Sequence, residues 1–271
     1  MRRILVLRSG GADLPAEAAG PDVALLTTHE ILPVETGIAA ALAFAARGAR
    51  LVVSSRVTVE ILSGGKSPLG TGPSASGEEV AEARRTGFFE GEFSEVIAVG
   101  EETARELQRG GARNVVVPIT PGAAGVLHLL RKTPGGLFGT RILWPRGSDA
   151  DLGPLEELSA LGALVVAPVV YEKQVRPLSS FSSGEREILS AFSSGGFGAV
   201  AVGSLAALEG FLQALGSPPP ATLPPVRWGV LGPETARAVS ARGFPTPAVP
   251  ARARFADLIE QLRKEMEMPT P

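Results

Sequence analysis

Short, unbroken apolar runs recur along the chain, separated by stretches with helical spacing. Residues 4–7, 23–26, 51–54, 96–99 and 115–117 predict strands in the first half. Residues 142–144, 163–166, 199–202, 228–231 and 247–249 predict strands in the second. These runs are continuous rather than alternating, so both faces of each strand are expected to be buried, as in a parallel sheet with helices on both sides. Between them, residues 37–47, 56–62, 76–86 and 101–109 predict helices, followed by 155–161, 185–193, 205–215, 234–242 and 255–267. The alternation predicts an α/β fold of doubly wound parallel-sheet type. Residues 63–77 and 217–225 are rich in Gly, Pro and Ser and read as surface insertions. A frayed tail is expected over residues 265–271.

The pattern occurs twice. The segment VGEETARELQRGGARNVVVP (99–118) matches LGPETARAVSARGFPTPAVP (231–250) at a constant offset. Gly100 pairs with Gly232, Thr103 with Thr235, and a final Val-Pro closes both. RILVLR (3–8) likewise matches RILWPR (141–146), and LVVSSRVTVE (51–60) matches VAVGSLAALE (200–209) more weakly. The chain therefore reads as two copies of one α/β unit. Two copies are too few, and the period too long, for a solenoid. A plain division near residue 135 and an exchange of segments between the copies fit the repeat equally well.

Composition narrows the function. The 271 residues are 44% hydrophobic and 20% charged, which suits a packed globular core. A formal net charge of −2 supplies no basic excess for nucleic acid or an anionic membrane. With no cysteine, disulfides, zinc–thiolate sites, iron–sulfur clusters and thiol nucleophiles are excluded. The opening MRRILVLRSGG has too short an apolar run for a signal peptide or a span, so a cytoplasmic protein is expected.

Several motifs fail on spacing. Residues 64–67 read GGKS, but Glu60 stands where a phosphate loop needs its first Gly. Residues 9–12 (SGGA) follow a strand without the G-x-G-x-x-G of a nicotinamide site. Ser204 is flanked by Val202 and Ala206, not by the glycines of a nucleophile elbow. His29 and His128 are the only histidines and read as structural. Asp149 and Asp151 lack the rest of a calcium loop. No metal site is expected.

What survives is the repeated strand–Gly–x–Glu–Thr–Ala–Arg unit. Gly100 and Gly232 each make a turn from which a helix opens at once, and Pro233 suits a first helical turn. Free N–H groups at such a helix start, at the carboxyl edge of a parallel sheet, favour an anion. Thr103 and Thr235 either bind that anion or merely cap the first turn. Glu101 and Glu102 must point away from an anion bound there.

On these residues the chain resembles the uroporphyrinogen-III synthase family. The resemblance rests on 231–244, its partner 99–111, and the run 141–172, which ends next to a tyrosine. Residues 52–60 are similar to the family's strand–Thr-Ser–Pro–helix segment, with Ser54 and Ser55 in place of Thr-Ser and Arg56 in place of Pro; residues 204–211 are the second-half counterpart, with Gly203 ahead of Ser204. The resemblance implies two similar α/β domains joined by a two-strand connector, with the active site in the cleft between them. Carried over, residues 1–34 plus 174–271 form one domain and 35–173 the other. It implies a monomeric hydro-lyase of tetrapyrrole (heme) biosynthesis that needs no cofactor. The implied substrate, hydroxymethylbilane, carries eight carboxylates; ring D inverts through a spiro intermediate, water is lost and the macrocycle closes. Tyr171 is then the catalytic candidate, to protonate or hydrogen-bond the leaving hydroxyl. Thr103, Thr235, Ser55 and Ser204 would contact carboxylates together with the N–H groups after Gly100 and Gly232. Arg8 and Arg146 match at two strand ends and either add positive charge or form structural ion pairs. Such domains also occur as regulatory parts, so a catalytically weak relative that binds a tetrapyrrole or another anion as a sensor is the alternative.

Overall fold

The computed structural model describes residues 3–10, 14, 16–45, 48–64, 87–90, 93–218 and 220–267. The helix expected over 76–86, the Gly-Gly-Lys-Ser run beyond Gly64 and most of the insertion at 63–77 lie outside the described residues. The chain divides into two compact units, Met1–Glu30 with Gln174–Pro271, and Ile31–Lys173. They are called the first and second units below.

The second unit is built on a five-stranded parallel sheet. Its strands are β4 (Arg50–Val53), β5 (Glu95–Ala98), β6 (Val115–Val116), β7 (Arg141–Leu143) and β9 (Leu164–Val166), in the order β6-β5-β4-β7-β9. Helices α1 (Glu35–Ala45), α2 (Arg56–Leu62) and α3 (Glu101–Arg109) cover one face. There Leu51, Val53, Val96 and Leu143 pack with Ile38, Val59 and Leu107. Helices α4 (Ala123–Arg131) and α5 (Gly153–Ala160) cover the other. There Val52, Ile97 and Ile142 pack with Val126, Leu130 and Leu158. Successive strand residues thus enter different cores, which is why the sequence shows unbroken apolar runs.

The first unit has a four-stranded parallel sheet in the order β12-β11-β1-β2. The strands are β1 (Arg3–Arg8), β2 (Val23–Thr27), β11 (Phe197–Val202) and β12 (Arg227–Val230). On one face Leu5, Leu7, Val200, Val202 and Val230 meet α6 (Ser183–Ser193), α7 (Leu205–Ala214) and α8 (Pro233–Ala241). On the other, Ile4, Val6, Ala199 and Ala201 meet Leu258, Ile259 and Leu262 of α9 (Phe255–Glu267). The expected α/β fold with parallel sheets is the observed one. The expected strand at 247–249 is reduced to one bridge, Gly229 to Ala248. Helix α4 was not expected.

The two sheets correspond strand for strand. The repeat pairs β5–α3 with β12–α8, β4–α2 with β11–α7, and β7 with β1. Ala248 beside β12 takes the place of β6 beside β5. The chain enters the first unit at the equivalents of β7 and β9 and supplies the rest only after residue 174. Strands β3 (His29–Pro33) and β10 (Val169–Val175) carry the outward and return crossings and are hydrogen-bonded neighbours. The short β8 (Arg146–Gly147) lies on the far side of β10.

An ion pair ties β2 to α9. Arg263 donates from Nη2 to Asp22 Oδ1 at 2.8 Å and from Nε to Oδ2 at 2.9 Å. These hydrogen bonds hold the Asp22 carboxyl below the ordinary aspartate range, with burial partly opposing them. A lowered folded-state pKa gives stability that is present above the unfolded value of about 4 and lost as pH falls through the folded value. Asp22→Asn is therefore expected to cost about 1–2 kcal/mol at neutral pH and less near pH 3. Denaturant melts of both proteins at the two pH values check this; an equal cost at both would rule out the charge as its source. Among the described residues no helix is long and apolar enough to cross a membrane.

Candidate active site

In each sheet the strand order reverses direction at one point, and open α/β sheets bind ligands beyond the carboxyl ends of strands at such a point. In the second unit it lies between β4 and β7, in the first between β11 and β1.

Beyond β4, the extended Ser55 (φ −152°) opens α2, and its Oγ accepts the Thr58 N–H at 3.1 Å. Serine suits this place because its short side chain satisfies one of the unpaired N–H groups of the first turn. The same Oγ lies 3.1 Å from Thr58 Oγ1 and 3.2 Å from the Tyr171 hydroxyl. Tyr171, on β10, is only 4% exposed, whereas Ser55 is half-buried. The tyrosine ring rests on Gly147, where a Cβ would come within 2.7 Å of it. Ser148 N–H donates to the Tyr171 carbonyl at 3.0 Å, and Lys173, 5.9 Å from the ring centre, pairs with Asp149 at 2.8 Å. Arg146 stands beside this group. Its Nη1 donates to the Gly147 carbonyl at 3.1 Å, and among the described residues its buried Nε has no partner and no carboxylate pairs with it. Among the described residues the ion-pair reading of Arg146 therefore finds no partner. Nor does Arg146 end a strand of the main sheet, as Arg8 does; it begins β8.

Beyond β5, Gly100 opens α3 without any side-chain cap. Thr103 is 6% exposed, and its hydroxyl does not cap the helix. Glu101 and Glu102 are exposed. The first-turn amides of α3 thus remain open to an acceptor from outside.

The first unit repeats the scheme. Ser204 opens α7, accepts the Ala207 N–H at 3.2 Å and donates to Ser9 Oγ at 3.2 Å. Ser9 and Ser204 follow β1 and β11, the two strands at the reversal. Gly203 has a steric reason: a Cβ there would lie 2.9 Å from the Phe255 ring and 3.0 Å from the Leu7 carbonyl. Gly232 opens α8, again with no side-chain cap, and Thr235 in its first turn is half-buried. Arg8 is half-buried with its guanidinium 5.7 Å from the centre of the Phe255 ring.

Ser55, Gly100 and Thr103 thus follow strands of the second unit's main sheet, and Arg8, Ser204, Gly232 and Thr235 lie at the carboxyl edge of the first unit's sheet, whereas Tyr171 and Arg146 sit on β10 and β8 of the three-stranded sheet. The structure brings Ser55 and Tyr171 into contact, and sets Arg146 next to Gly147 beneath the tyrosine ring. Sequence reasoning missed Thr58, Ser9 and Gly147. No local signal marks Thr58, since a threonine in a helical run carries no role until its hydroxyl is placed. His29 is buried, with Nδ1 3.0 Å from Thr28 Oγ1, and His128 is exposed on α4. Among the described residues no three His, Asp or Glu side chains converge to hold a metal ion. A hollow of about 610 Å³ lined by Arg3, Ser182, Glu185, Glu187 and Ile188 lies at the amino end of β1, away from these edges.

The family model described as uroporphyrinogen-III synthase HemD matches residues 22–260. The uroporphyrinogen-III synthetase of Helicobacter pylori is similar in fold at 15% identity, with a TM-score of 0.60 over 98% of this chain and 100% of that one. A mutant uroporphyrinogen III synthase from Thermus thermophilus is similar at 16% identity, with a TM-score of 0.58 over 98% of this chain and 99% of that one. No curated protein matches the chain. With its family model matched over most of its length, and two sheets carrying the same helix openings at the same edge, the chain belongs to the uroporphyrinogen-III synthase family.

Proposed function

We propose that the protein is an active uroporphyrinogen-III synthase, a hydro-lyase that closes hydroxymethylbilane into its ring-D-inverted macrocycle with loss of water. The observation that carries this is the pair of uncapped helix openings at Gly100 and Gly232, repeated at the carboxyl edges of both sheets. A substrate with eight carboxylates needs anion-receptive groups at several places rather than one deep pocket. The N–H groups beyond Gly100 and Gly232, with Thr103, Thr235, Ser204 and the cations of Arg8 and Arg146, supply them. Each charge-assisted hydrogen bond contributes about 1.5–3 kcal/mol where water is excluded. Holding the linear chain with its two ends close, and ring D turned, is mainly a matter of position. The Ser55–Tyr171 hydroxyl pair is the proton source for the departing hydroxyl. No cofactor enters this scheme.

Product isomers test the proposal. Hydroxymethylbilane is generated, protein is added, products are oxidised, and uroporphyrins I and III are separated by chromatography. The expected result is isomer III well above the protein-free control. Isomer I alone from folded protein would replace the enzyme with a tetrapyrrole-binding domain, for which a uroporphyrin titration is the next measurement. The 4% exposure of Tyr171 is the observation on that side.

A further inference from the structure

The three hydroxyls of Thr58, Ser55 and Tyr171 differ sharply in access. Thr58 is fully buried, Tyr171 is 4% exposed, and Ser55, between them, is half-buried. A serine hydroxyl has one proton to give and two lone pairs to receive. One lone pair of Ser55 takes the Thr58 N–H at 3.1 Å. The phenol at 3.2 Å and the Thr58 hydroxyl at 3.1 Å compete for the rest. If the phenol donates to Ser55, both lone pairs are filled and the Ser55 proton has a single acceptor among the described residues, Thr58 Oγ1. Chemistry directed outward from this cluster then leaves through Ser55.

Resting on the reading of the protein as a synthase, we propose that Ser55 is the group that touches the leaving hydroxyl, and that Tyr171 and Thr58 are positioning residues acting through it. In the empty protein the Ser55 proton is held by Thr58 Oγ1. When substrate binds, that hydrogen bond swings to the substrate hydroxyl. The carbon–oxygen bond breaks with its electron pair going to oxygen, which takes the Ser55 proton and leaves as water. Ser55 is reprotonated from Tyr171, leaving a phenolate. After ring closure the macrocycle loses a proton, which returns through Ser55 to the phenolate, so substrate and products differ by one water and the protein is unchanged. Gly147 belongs to the same device, since any side chain there would displace the ring that sets the Tyr171–Ser55 distance.

The relay and a direct Tyr171 contact differ in how their losses combine. Steady-state kinetics of isomer III formation are measured with the full chain for Tyr171→Phe, Ser55→Ala, their double variant, Thr58→Val and Ser55→Thr. In the relay, each of the first two lowers kcat about 100-fold with KM within about twofold, and the double variant is no slower than the worse single. Groups acting in series on one proton path are non-additive. Ser55→Thr keeps the hydroxyl and the helix cap and is expected within about fivefold of wild type; Thr58→Val is expected to lose about tenfold in kcat. Losses that multiply in the double variant, or a Ser55→Ala protein with undiminished kcat, overturn the relay while leaving the synthase reading intact. No isomer III from the wild type overturns both. Thermal melts establish that each variant folds; if Ser55→Ala does not, Ser55→Gly, which keeps most of the cap stability, takes its place.

Discussion

Replacing Gly37 with alanine is expected to lower the stability of the second unit by more than about 3 kcal/mol and to abolish activity with it. Gly37 lies in the first turn of α1, and a Cβ there would fall 1.7 Å from the Val169 carbonyl oxygen and 2.6 Å from its carbon. The obstacle is backbone, so no rotamer change relieves it. Strand β10 would have to move by over an ångström, yet it is fixed by the Val34 N–H to Val170 carbonyl bond at 3.0 Å and by its ladder with β8. Tyr171 lies two residues beyond Val169, so the 3.2 Å contact with Ser55 moves with the strand. Urea unfolding and the isomer assay check both halves. Gly184→Ala is the control. Its Cβ meets nothing within 4 Å, and the helix is expected to gain slightly. An unchanged urea midpoint for Gly37→Ala would mean that β10 is not pinned against α1.

The strands of both sheets were legible because burial on two faces leaves no polar position inside them. Leu51, Val52 and Val53 are all fully buried, yet they serve two different cores. The repeat was legible because helix openings need particular residues. Gly100 and Gly232 stand in extended backbone just ahead of two helices, and Ser55 and Ser204 cap the next helices along their sheets. Which strands pair was not legible, because a parallel ladder depends on partners far apart in sequence. Nothing local in β1 states that its neighbour is β11. Helix α4 escaped notice because its short apolar stretch, with Gly125 in the middle, reads equally as a turn. That glycine is forced: a Cβ would lie 1.7 Å from the Thr120 carbonyl oxygen.

The candidate site divides in the same way. Helix-start serines and glycines announce themselves locally. The Ser55–Tyr171 contact does not, since its partners are 116 residues apart. Thr58 was hidden for another reason: a threonine inside a helical run reads as a core or surface residue until its hydroxyl is placed. Residues that act through distant partners are therefore recovered from the structure, and Arg176 is the strongest case.

Arg176→Met is expected to cost about 3–5 kcal/mol, among the largest losses of any single side chain outside the sheets. Arg176 is the first residue after β10 and is buried. Its guanidinium meets Glu185 twice, Nη1 to Oε1 at 2.5 Å and Nη2 to Oε2 at 3.1 Å. It also donates to the carbonyls of Thr27 and Ser180, each at 2.9 Å, and lies 4.4 Å from the centre of the Phe181 ring. Glu185 in turn closes the capping box of α6 by accepting the Ser182 N–H at 2.8 Å. One cation thus fixes the end of β2, the turn after β10 and the start of α6, where the returning chain rejoins the first unit. Removing it takes a donor from two carbonyls and leaves a partly buried carboxylate with its Ser182 donors but without its cation. Lysine cannot replace the bidentate fork, so Arg176→Lys is expected to recover little. Adding Glu185→Gln to Arg176→Met is expected to restore part of the loss, because the unpaired charge goes with it. Acid should narrow the difference as well. Burial alone would raise the Glu185 pKa, but hydrogen bonds from Arg176 and Ser182 outweigh it and hold the carboxyl below the ordinary glutamate range. The pair's stability is therefore present above the unfolded value of about 4.3 and lost as pH falls through the lower folded value. Denaturant melts from pH 7 down to pH 3 should show the gap between wild type and Arg176→Met narrowing below about pH 4. A gap that stays constant with pH would assign the cost to lost packing on Phe181 and the two carbonyl bonds rather than to the ion pair.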